Sequence, residues 1–215
     1  MWKVAEQVPL LNQVRNTAID IGSGEGHLCA ELAGRGWSSV AGFDISRSRV
    51  SRARRLYPHL QFYDVPLSAS GIATGSVDLV VMEAVIEHLP APLAFLCEIM
   101  PYLAPGGVLL LTTPNMDSGH FRLLGRRWTG MLAPHAHIFL FSPRSITLLF
   151  KRTGLTNVQT GSYHTPMYTP TQYLKRLAHG DVTGTLWRAH QEVGGIYGRL
   201  INRGPMLYAV GQKPL

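Results

Sequence analysis

The sequence predicts an α/β fold built on a parallel sheet with helices on both faces. Two observations carry that expectation. Strand-like and helix-like segments alternate from residue 17 to 113, the rhythm of parallel strands joined by crossover helices. The first strand, Ala18-Ile19-Asp20-Ile21, runs into Gly22-Ser23-Gly24-Glu25-Gly26 and then into a helix opening at His27. Glycines at alternate positions let the backbone turn sharply and approach a ligand closely, and a helix start leaves N–H groups free at the same place.

The elements follow in order. A helix over His27–Gly34 offers Leu28, Ala30, Leu32 and Ala33 to the sheet, and Val40-Ala41-Gly42-Phe43-Asp44 reads as the second strand. The helix Ser46–Tyr57 has an N-cap in Asp44 or Ser46. Its Val50, Ala53, Leu56 and Tyr57 share one face at helical spacing, and Arg47, Arg52, Arg54 and Arg55 read as its solvated face. Leu60–Val65 and Ser76–Met82 read as the third and fourth strands, followed by Glu87-His88-Leu89 and a helix over Pro92–Leu103 that Gly106-Gly107 ends. An apolar strand then closes in Thr113-Pro114-Asn115. Gly119–Ala133 is amphipathic, with Phe121, Leu124, Trp128, Met131 and Leu132 opposite Arg122 and Arg126. It reads as a lid, a docking helix or a peripheral membrane contact over 119–133. Ser142 and Pro143 start another helix that Gly154 stops. A strand at 158–163, helical stretches near 171–179 and 186–202, and a last strand at 205–211 complete the chain.

At 215 residues the chain suits one domain, long enough to bury roughly 70% of its unfolded surface. No run of about 18 apolar residues suggests a membrane span, and the N-terminus lacks the apolar core of a signal peptide. A cytoplasmic location is the resulting expectation. Cys29 and Cys97 are expected as buried free thiols. Charge is uneven: residues 1–117 carry eight Lys/Arg and eleven Asp/Glu, and residues 118–215 carry twelve and two, so most of the net +7 lies C-terminally. That balance fits an anionic small-molecule substrate, an acidic membrane surface or nucleic acid, or an ordinary solvated basic surface.

The glycine spacing is not that of a dinucleotide loop, because G-x-G-x-x-G would need a third glycine where His27 or Cys29 stands. Asp20, Gly22, Gly24 and Gly26 instead form D-x-G-x-G-x-G, which resembles motif I of the class I S-adenosylmethionine-dependent methyltransferases. The resemblance extends to Asp44, Asp64 and the Pro105-Gly106-Gly107 turn. The strand closing in Thr113-Pro114-Asn115 is typical of a subgroup with ubiquinone-biosynthesis O-methyltransferases and glycan- or natural-product-cluster methyltransferases. It implies a three-layer Rossmann-like fold with a mostly parallel seven-stranded sheet, whose last strand inserts antiparallel between the fifth and sixth. It also implies one methyltransferase domain over 1–215, with a cofactor-binding half (1–116) and a substrate-side half bearing helical insertions (117–215).

The implied cofactor is S-adenosylmethionine, with S-adenosylhomocysteine as product. Asp20, Gly22, Ser23, Gly24 and Gly26 would cradle it. Asp44 and Ile45 would meet its ribose, Asp64 and Val65 its adenine, and Glu83 would lie near it at the strand end. Transfer from a sulfonium needs mainly alignment and exclusion of water, plus a base where the acceptor is a hydroxyl. His88 is the first candidate base and His137 the second, with His135 two residues earlier on the same side. Some relatives show E-x-x-E-H here, in some cases with a divalent ion. Glu83-Ala84-Val85-Ile86-Glu87-His88 places Ala84 where the first ligand would stand; Glu87, His88 and a later His could still hold an ion, but no metal is expected.

The leading functional expectation is methyl transfer to a small molecule, at a hydroxyl oxygen of an anionic sugar, lipid-linked or phenolic acceptor. RNA methylation is the alternative, disfavoured because there is no appended RNA-binding module and no Asp/Asn-Pro-Pro-Tyr-like motif after the fourth strand. Non-catalytic cofactor binding is the third reading. Only about seventeen residues precede the first strand. That implies an open pocket, closure by the C-terminal insertions, or a shortened chain.

Overall fold

The computed structural model describes residues 16–125, 136–163 and 203–215, with scattered positions between 175 and 201. In chain order the elements are β1 (Thr17–Ile21), α1 (His27–Gly34), β2 (Ser39–Phe43), α2 (Arg47–Leu56), β3 (Gln61–Tyr63), β4 (Val77–Glu83), α3 (Pro92–Ile99), β5 (Leu103–Pro114), α4 (Gly119–Leu124), α5 (Pro143–Arg152), β6 (Thr156–Tyr163) and β7 (Met206–Gln212). The seven strands form one sheet in the order β3-β2-β1-β4-β5-β7-β6. Pairing is parallel from β3 to β5, and β7 runs antiparallel to both β5 and β6. This is the architecture that the resemblance implies. The strand order reverses beside β1 and β4, so a crevice lies outside their carboxyl ends, where open α/β sheets bind ligands.

Alternation along the strands fills both faces. Ile19, Val80, Leu109 and Leu207 pack on one side with Leu96 and Ile99 of α3 and Ile146 and Phe150 of α5. Ala18, Leu79, Leu110 and Val210 pack on the other with Cys29 and Leu32 of α1 and Val50 and Ala53 of α2. Central strands buried on both faces are apolar at successive positions, which is why β4 and β5 read as near-continuous apolar runs.

Local signals set most boundaries. Ser46 caps α2, its hydroxyl accepting from Arg49 N, which decides between the two candidate caps. Ser142 and Ser145 form a reciprocal capping box at α5, with Pro143 in its first turn, and Gly154 stops that helix at φ +84°. The helix expected to reach Leu103 ends at Ile99, and Met100–Tyr102 tightens into a 3-10 turn. Pro101 has no N–H to continue the helical ladder. β5 then starts at Leu103, ahead of the Pro-Gly-Gly turn, with a register shift against β4 between Val77 and Leu79. Cys29 is buried, but Cys97 is exposed, contrary to expectation. On α3 it follows Leu96, which takes the core-facing position, and so points about 100° away from it.

Of the amphipathic stretch 119–133, residues 119–125 are described: Leu124 is buried against Phe121, and Leu123 is half exposed. The remainder of that stretch, His135, and most of the expected helices near 171–179 and 186–202 lie outside the described residues. Among the described residues, no helix is long and apolar enough to cross a membrane.

Candidate active site

The glycine loop is held from below by β2. Gly22 N and Ser23 N both donate to the Phe43 carbonyl, at 2.7 and 2.9 Å, and Gly26 N donates to Ser23 O at 2.9 Å. Gly22, Gly24 and Gly26 have φ of +82°, +55° and +84°, a left-handed conformation costly for side chains with a Cβ. A Cβ on Gly24 would meet nothing within 4 Å, so the loop's outer edge is open for a ligand to approach. A Cβ on Gly42, in β2 beneath the loop, would lie 2.7 Å from the Phe62 ring and 2.7 Å from Ser23 Oγ. Gly42 therefore lets the loop close onto the sheet.

Asp44 organises this edge. Its Oδ2 accepts from Gly24 N at 2.9 Å and its Oδ1 from Ser46 N at 2.8 Å, so one carboxylate ties the loop to the start of α2. Further lone pairs on those oxygens remain for hydroxyl donors. Ile45 is fully exposed and Val65 is 42% exposed, which leaves two apolar side chains bare beside Asp44 and Asp64. Such a pair suits the flat, partly apolar face of a nucleoside.

Asp64 is not a free carboxylate. Arg47 Nε stands 3.7 Å and Arg54 3.5 Å from it, and Arg54 also donates twice to Phe62 O, at 3.1 and 2.7 Å. Arg52 pairs with Glu25 of the glycine loop at 3.2 Å. The arginine face of α2 is thus more than a solvated surface: three of its members bind carboxylates of the candidate cofactor edge.

Asp20 lies at the centre. It is 2% exposed, and the Cys29 thiol points at its Oδ2 from 3.7 Å. Burial, then Glu83, with Asp44 adding to them, pushes its carboxyl up to about 7. Burial and the neighbouring Asp20 push the Cys29 thiol far above its ordinary range. Glu83, exposed at the end of β4, faces the same crevice edge.

Beyond β4 the chain turns hard at Ala84, which has φ +51°, an uncommon conformation for a residue with a side chain. Ala84 N is held by Thr112 O at 3.0 Å. The following 3-10 turn, Ile86–His88, buries Glu87 and exposes His88. The Glu87 carboxylate accepts from Thr113 Oγ1 at 3.0 Å, and its Oε1 is buried without a partner. Its main-chain oxygen accepts from Ile138 N and Phe139 N, at 2.8 and 3.1 Å, which draws the segment after Ala136 over the turn. Burial raises the Glu87 carboxyl above its ordinary range, opposed first by its own backbone N–H and then by the Thr113 hydroxyl, His88 and His137.

His88 Nδ1 lies 2.7 Å from the Ala136 carbonyl, which can only accept, so a neutral His88 keeps its basic lone pair on Nε2. The His88 and His137 rings are 4.9 Å apart. The two candidates separated by 49 positions in sequence thus meet, with one donor atom each from Glu87, His88 and His137 within 4.8 Å of one another. Three such donors fit a divalent ion, despite Ala84, and the unpartnered Glu87 oxygen adds to that fit.

Sequence reasoning placed Gly42, Thr113 and Tyr163 on strands but gave none of them a part in the site. Tyr163 ends β6 on the same sheet edge, and burial followed by Glu83 and Glu87 raises its phenol above the usual range. Nothing local marks it: only the sheet order brings residue 163 within electrostatic range of residues 83 and 87.

Comparison with known proteins fits this arrangement. Residues 3–160 match a protein family described as methyltransferase domain. The trans-aconitate 2-methyltransferase of Azoarcus sp. is 34% identical over 123 residues, covering 54% of this chain and 48% of that protein. The ubiquinone biosynthesis O-methyltransferase of Psychrobacter arcticus is 26% identical over 162 residues, covering 69% of this chain and 63% of that protein. The chain spans about half the length of the curated relatives it matches. A solved S-adenosylmethionine-dependent methyltransferase of Archaeoglobus fulgidus superposes with TM-score 0.67 at 14% identity, covering 99% of this chain and 92% of its own, which is a likeness of fold. With its matched family, its D-x-G-x-G-x-G loop and its strand order together, the chain belongs to the methyltransferase domain family, within the class I S-adenosylmethionine-dependent methyltransferases.

Proposed function

We propose that this chain transfers the methyl group of S-adenosylmethionine to a hydroxyl oxygen of a small, anionic acceptor, as a single domain with a cofactor half (1–116) and a substrate-side half (117–215). The observation that carries the oxygen assignment is the meeting of Glu87, His88 and His137 beside the carboxyl ends of β4 and β5. A hydroxyl must lose a proton as it attacks, and His88 Nε2 is placed to take it. Asp20, Gly22, Ser23, Gly24 and Gly26 hold the methionine end of the cofactor. Asp44 and Ile45 hold the ribose, Asp64 and Val65 the adenine, and Glu83 lies beside the reacting centre. The names of two relatives, an O-methyltransferase of ubiquinone biosynthesis and a methyltransferase of trans-aconitate, support oxygen chemistry and an acidic acceptor.

The test is calorimetric titration with S-adenosylmethionine and S-adenosylhomocysteine, followed by transfer assays on anionic sugars, phenols and carboxylic acids. Micromolar binding of both ligands is expected, with turnover on one acceptor class. Asp44→Ala is expected to abolish cofactor binding in a folded protein. His88→Ala is expected to slow transfer while sparing cofactor affinity, and unchanged turnover would make His88 structural. Relatives named as tRNA U34 carboxymethyltransferases make RNA the competing acceptor, and RNA binding that weakens steeply with salt would favour it.

The buried, unpartnered Glu87 oxygen supports a second reading, in which Glu87, His88 and His137 hold a divalent ion. Such an ion would lower the pKa of a hydroxyl acceptor. Transfer lost on dialysis against a chelator and restored by magnesium, manganese or zinc would establish it; transfer indifferent to chelation would leave His88 as the base.

A further inference from the structure

A helix on the surface of a globular domain turns its apolar side inward. The described residues of 185–200 do the reverse. Val193, Ile196, Tyr197 and Leu200 lie in helix and are exposed, Leu200 to 80%, while Gly198 among them is buried. At about 100° per residue the four fall within roughly 100° of arc, and Gly198 lies on the far side of the wheel. Leu186 is 64% exposed as well, and the residue buried beside it is Thr185.

The inward side is closed by backbone contact. A Cβ on Gly119, the first residue of α4, would strike the Gly198 backbone and lie 3.1 Å from Tyr197 Cδ1. Gly119 N donates to Arg203 O at 3.0 Å, and the Arg203 guanidinium pairs with Asp117 at 2.9 Å. Glycine packed on glycine leaves no room to turn a large side chain inward, so the apolar arc faces out. The same joint ties the arc to the end of β5. Asn115 holds Gly204 and Pro205, and Met116 N donates to Phe141 O at 2.8 Å. Met116, Leu123, Ile138 and Phe139, in the segments so joined, are also exposed. Exposed apolar side chains gathered in this way mark a contact surface.

Charge selects what covers it. Residues 118–215 carry twelve Lys/Arg and two Asp/Glu. Asp117, at the joint, is already met by Arg122 at 3.4 Å and by Arg203. A second copy would set the same positive excess against itself. An anionic lipid surface neutralises it and takes apolar side chains beneath its headgroups.

We propose that this arc docks the chain on an anionic bilayer, which brings the end of β5 and the candidate site beside it to the lipid surface. Ile196 and Leu200 enter the boundary between headgroups and acyl chains, and Tyr197 sits at headgroup level. Basic side chains of the C-terminal half meet the lipid phosphates. The docking needs neither cofactor nor acceptor, so it stands or falls apart from the methyl-transfer reading.

The experiment is co-sedimentation of the whole chain with vesicles of phosphatidylcholine, alone and with about 30% phosphatidylglycerol, at about 0.05 and 0.5 M salt. Binding to the anionic vesicles is expected, weakened at least about tenfold on phosphatidylcholine alone and at the higher salt. Ile196→Glu combined with Leu200→Glu should weaken it at least about tenfold. Leu200→Trp should keep it, and the added fluorescence should be quenched by brominated lipid. Both positions are exposed, so thermal unfolding of these variants should match the wild type. Failure to sediment with anionic vesicles, equal sedimentation with both lipids, or wild-type binding by the double Glu variant overturns the proposal. So does a dimer in light scattering that the double variant makes monomeric, which would assign the arc to a second copy. Vesicle binding by a folded chain that takes up no S-adenosylmethionine would sink the methyl-transfer reading and support this one.

Discussion

Gly42→Ala isolates the support of the cofactor loop from its ligand contacts. Gly42 sits in β2, one residue before the Phe43 carbonyl that holds Gly22 N and Ser23 N. An added methyl would lie 2.7 Å from Phe62 Cδ1, 2.7 Å from Ser23 Oγ and 2.8 Å from Ser23 Cβ. Those separations fall about 1 Å inside normal carbon contact, so something must move. Phe62 is 4% exposed and its ring packs close against Gly26, so the Ser23 side has the greater freedom. Moving Ser23 strains the two hydrogen bonds to Phe43 O and lifts the loop. Overpacking of this kind costs typically about 1–3 kcal/mol. Thermal and urea unfolding should show a loss in that range with an unchanged m-value, and calorimetry should show S-adenosylmethionine binding weakened at least about tenfold, since about 1.4 kcal/mol transmitted to the loop is a tenfold change. Stability within about 0.5 kcal/mol of wild type together with unchanged cofactor affinity would refute the reasoning, because ordinary surface exchanges fall in that band.

Two further outcomes follow from buried polar groups. Asp20 keeps its proton to about 7 in the folded chain, against its ordinary 3.8, so the unfolded chain binds fewer protons between those values. The wild type should therefore lose stability as pH rises from about 4 to 7, with a ceiling near 4 kcal/mol, and unliganded Asp20→Asn should lack that slope and be the more stable protein at pH 8. Parallel stability–pH curves for the two proteins would contradict this. Thr113→Val keeps the shape but removes the side-chain donor to the carboxyl of Glu87, a 1%-exposed residue whose Oε1 already has no partner. A loss of about 1–3 kcal/mol by urea unfolding is expected, and the further variant Glu87→Gln in that background should recover part of it. A neutral Thr113→Val would mean that the hydroxyl does not support Glu87.

The alternation of strands and helices, the glycine turn and the capped helices were legible because each rests on a local pattern: apolar rhythm, a glycine at a left-handed turn, a serine ahead of a helix; the strand order came from the family resemblance instead. What was hidden rests on distance in sequence. Thr113 and Glu87 are 26 positions apart, and Tyr163 feels the charges of Glu83 and Glu87 only because β7 inserts beside β5 and carries β6 parallel to β5. Asn115 closed a familiar Thr-Pro-Asn ending in the sequence, but its task appears only in three dimensions. Its amide donates to Gly204 O at 2.8 Å, and its backbone N–H donates to Pro205 O at 2.8 Å, so it anchors the chain entering β7. Cys97 was misplaced because a helical wheel with apolar residues nearly all round gives no unique buried face. Glu87 was legible as a possible ligand beside His88, but its burial was not, because it depends on the Ala84 turn folding it inward.

The arginines of α2 show how such a hidden layer bears on function. A helix with Arg47, Arg52, Arg54 and Arg55 on one side looks like a surface, yet Arg54 spans from the Phe62 carbonyl to Asp64 at the candidate adenine edge. A carboxylate has about four acceptor sites, so Asp64 can keep Arg54 and still receive an adenine amino group. Arg54 then orients Asp64 instead of competing for it. Arg47 makes only one contact of 3.7 Å to Asp64 from a side chain that is 91% exposed, and should contribute little. Arg54→Met is therefore expected to cost no more than about 1 kcal/mol in stability, as exposed pairs do. It should weaken S-adenosylmethionine binding about three- to tenfold, with Arg47→Met staying within about twofold, a difference of roughly 1 kcal/mol between the two variants. Equal effects would reduce Arg54 to general electrostatics. Tighter binding in Arg54→Met would mean that Arg54 occupies the oxygen the adenine needs.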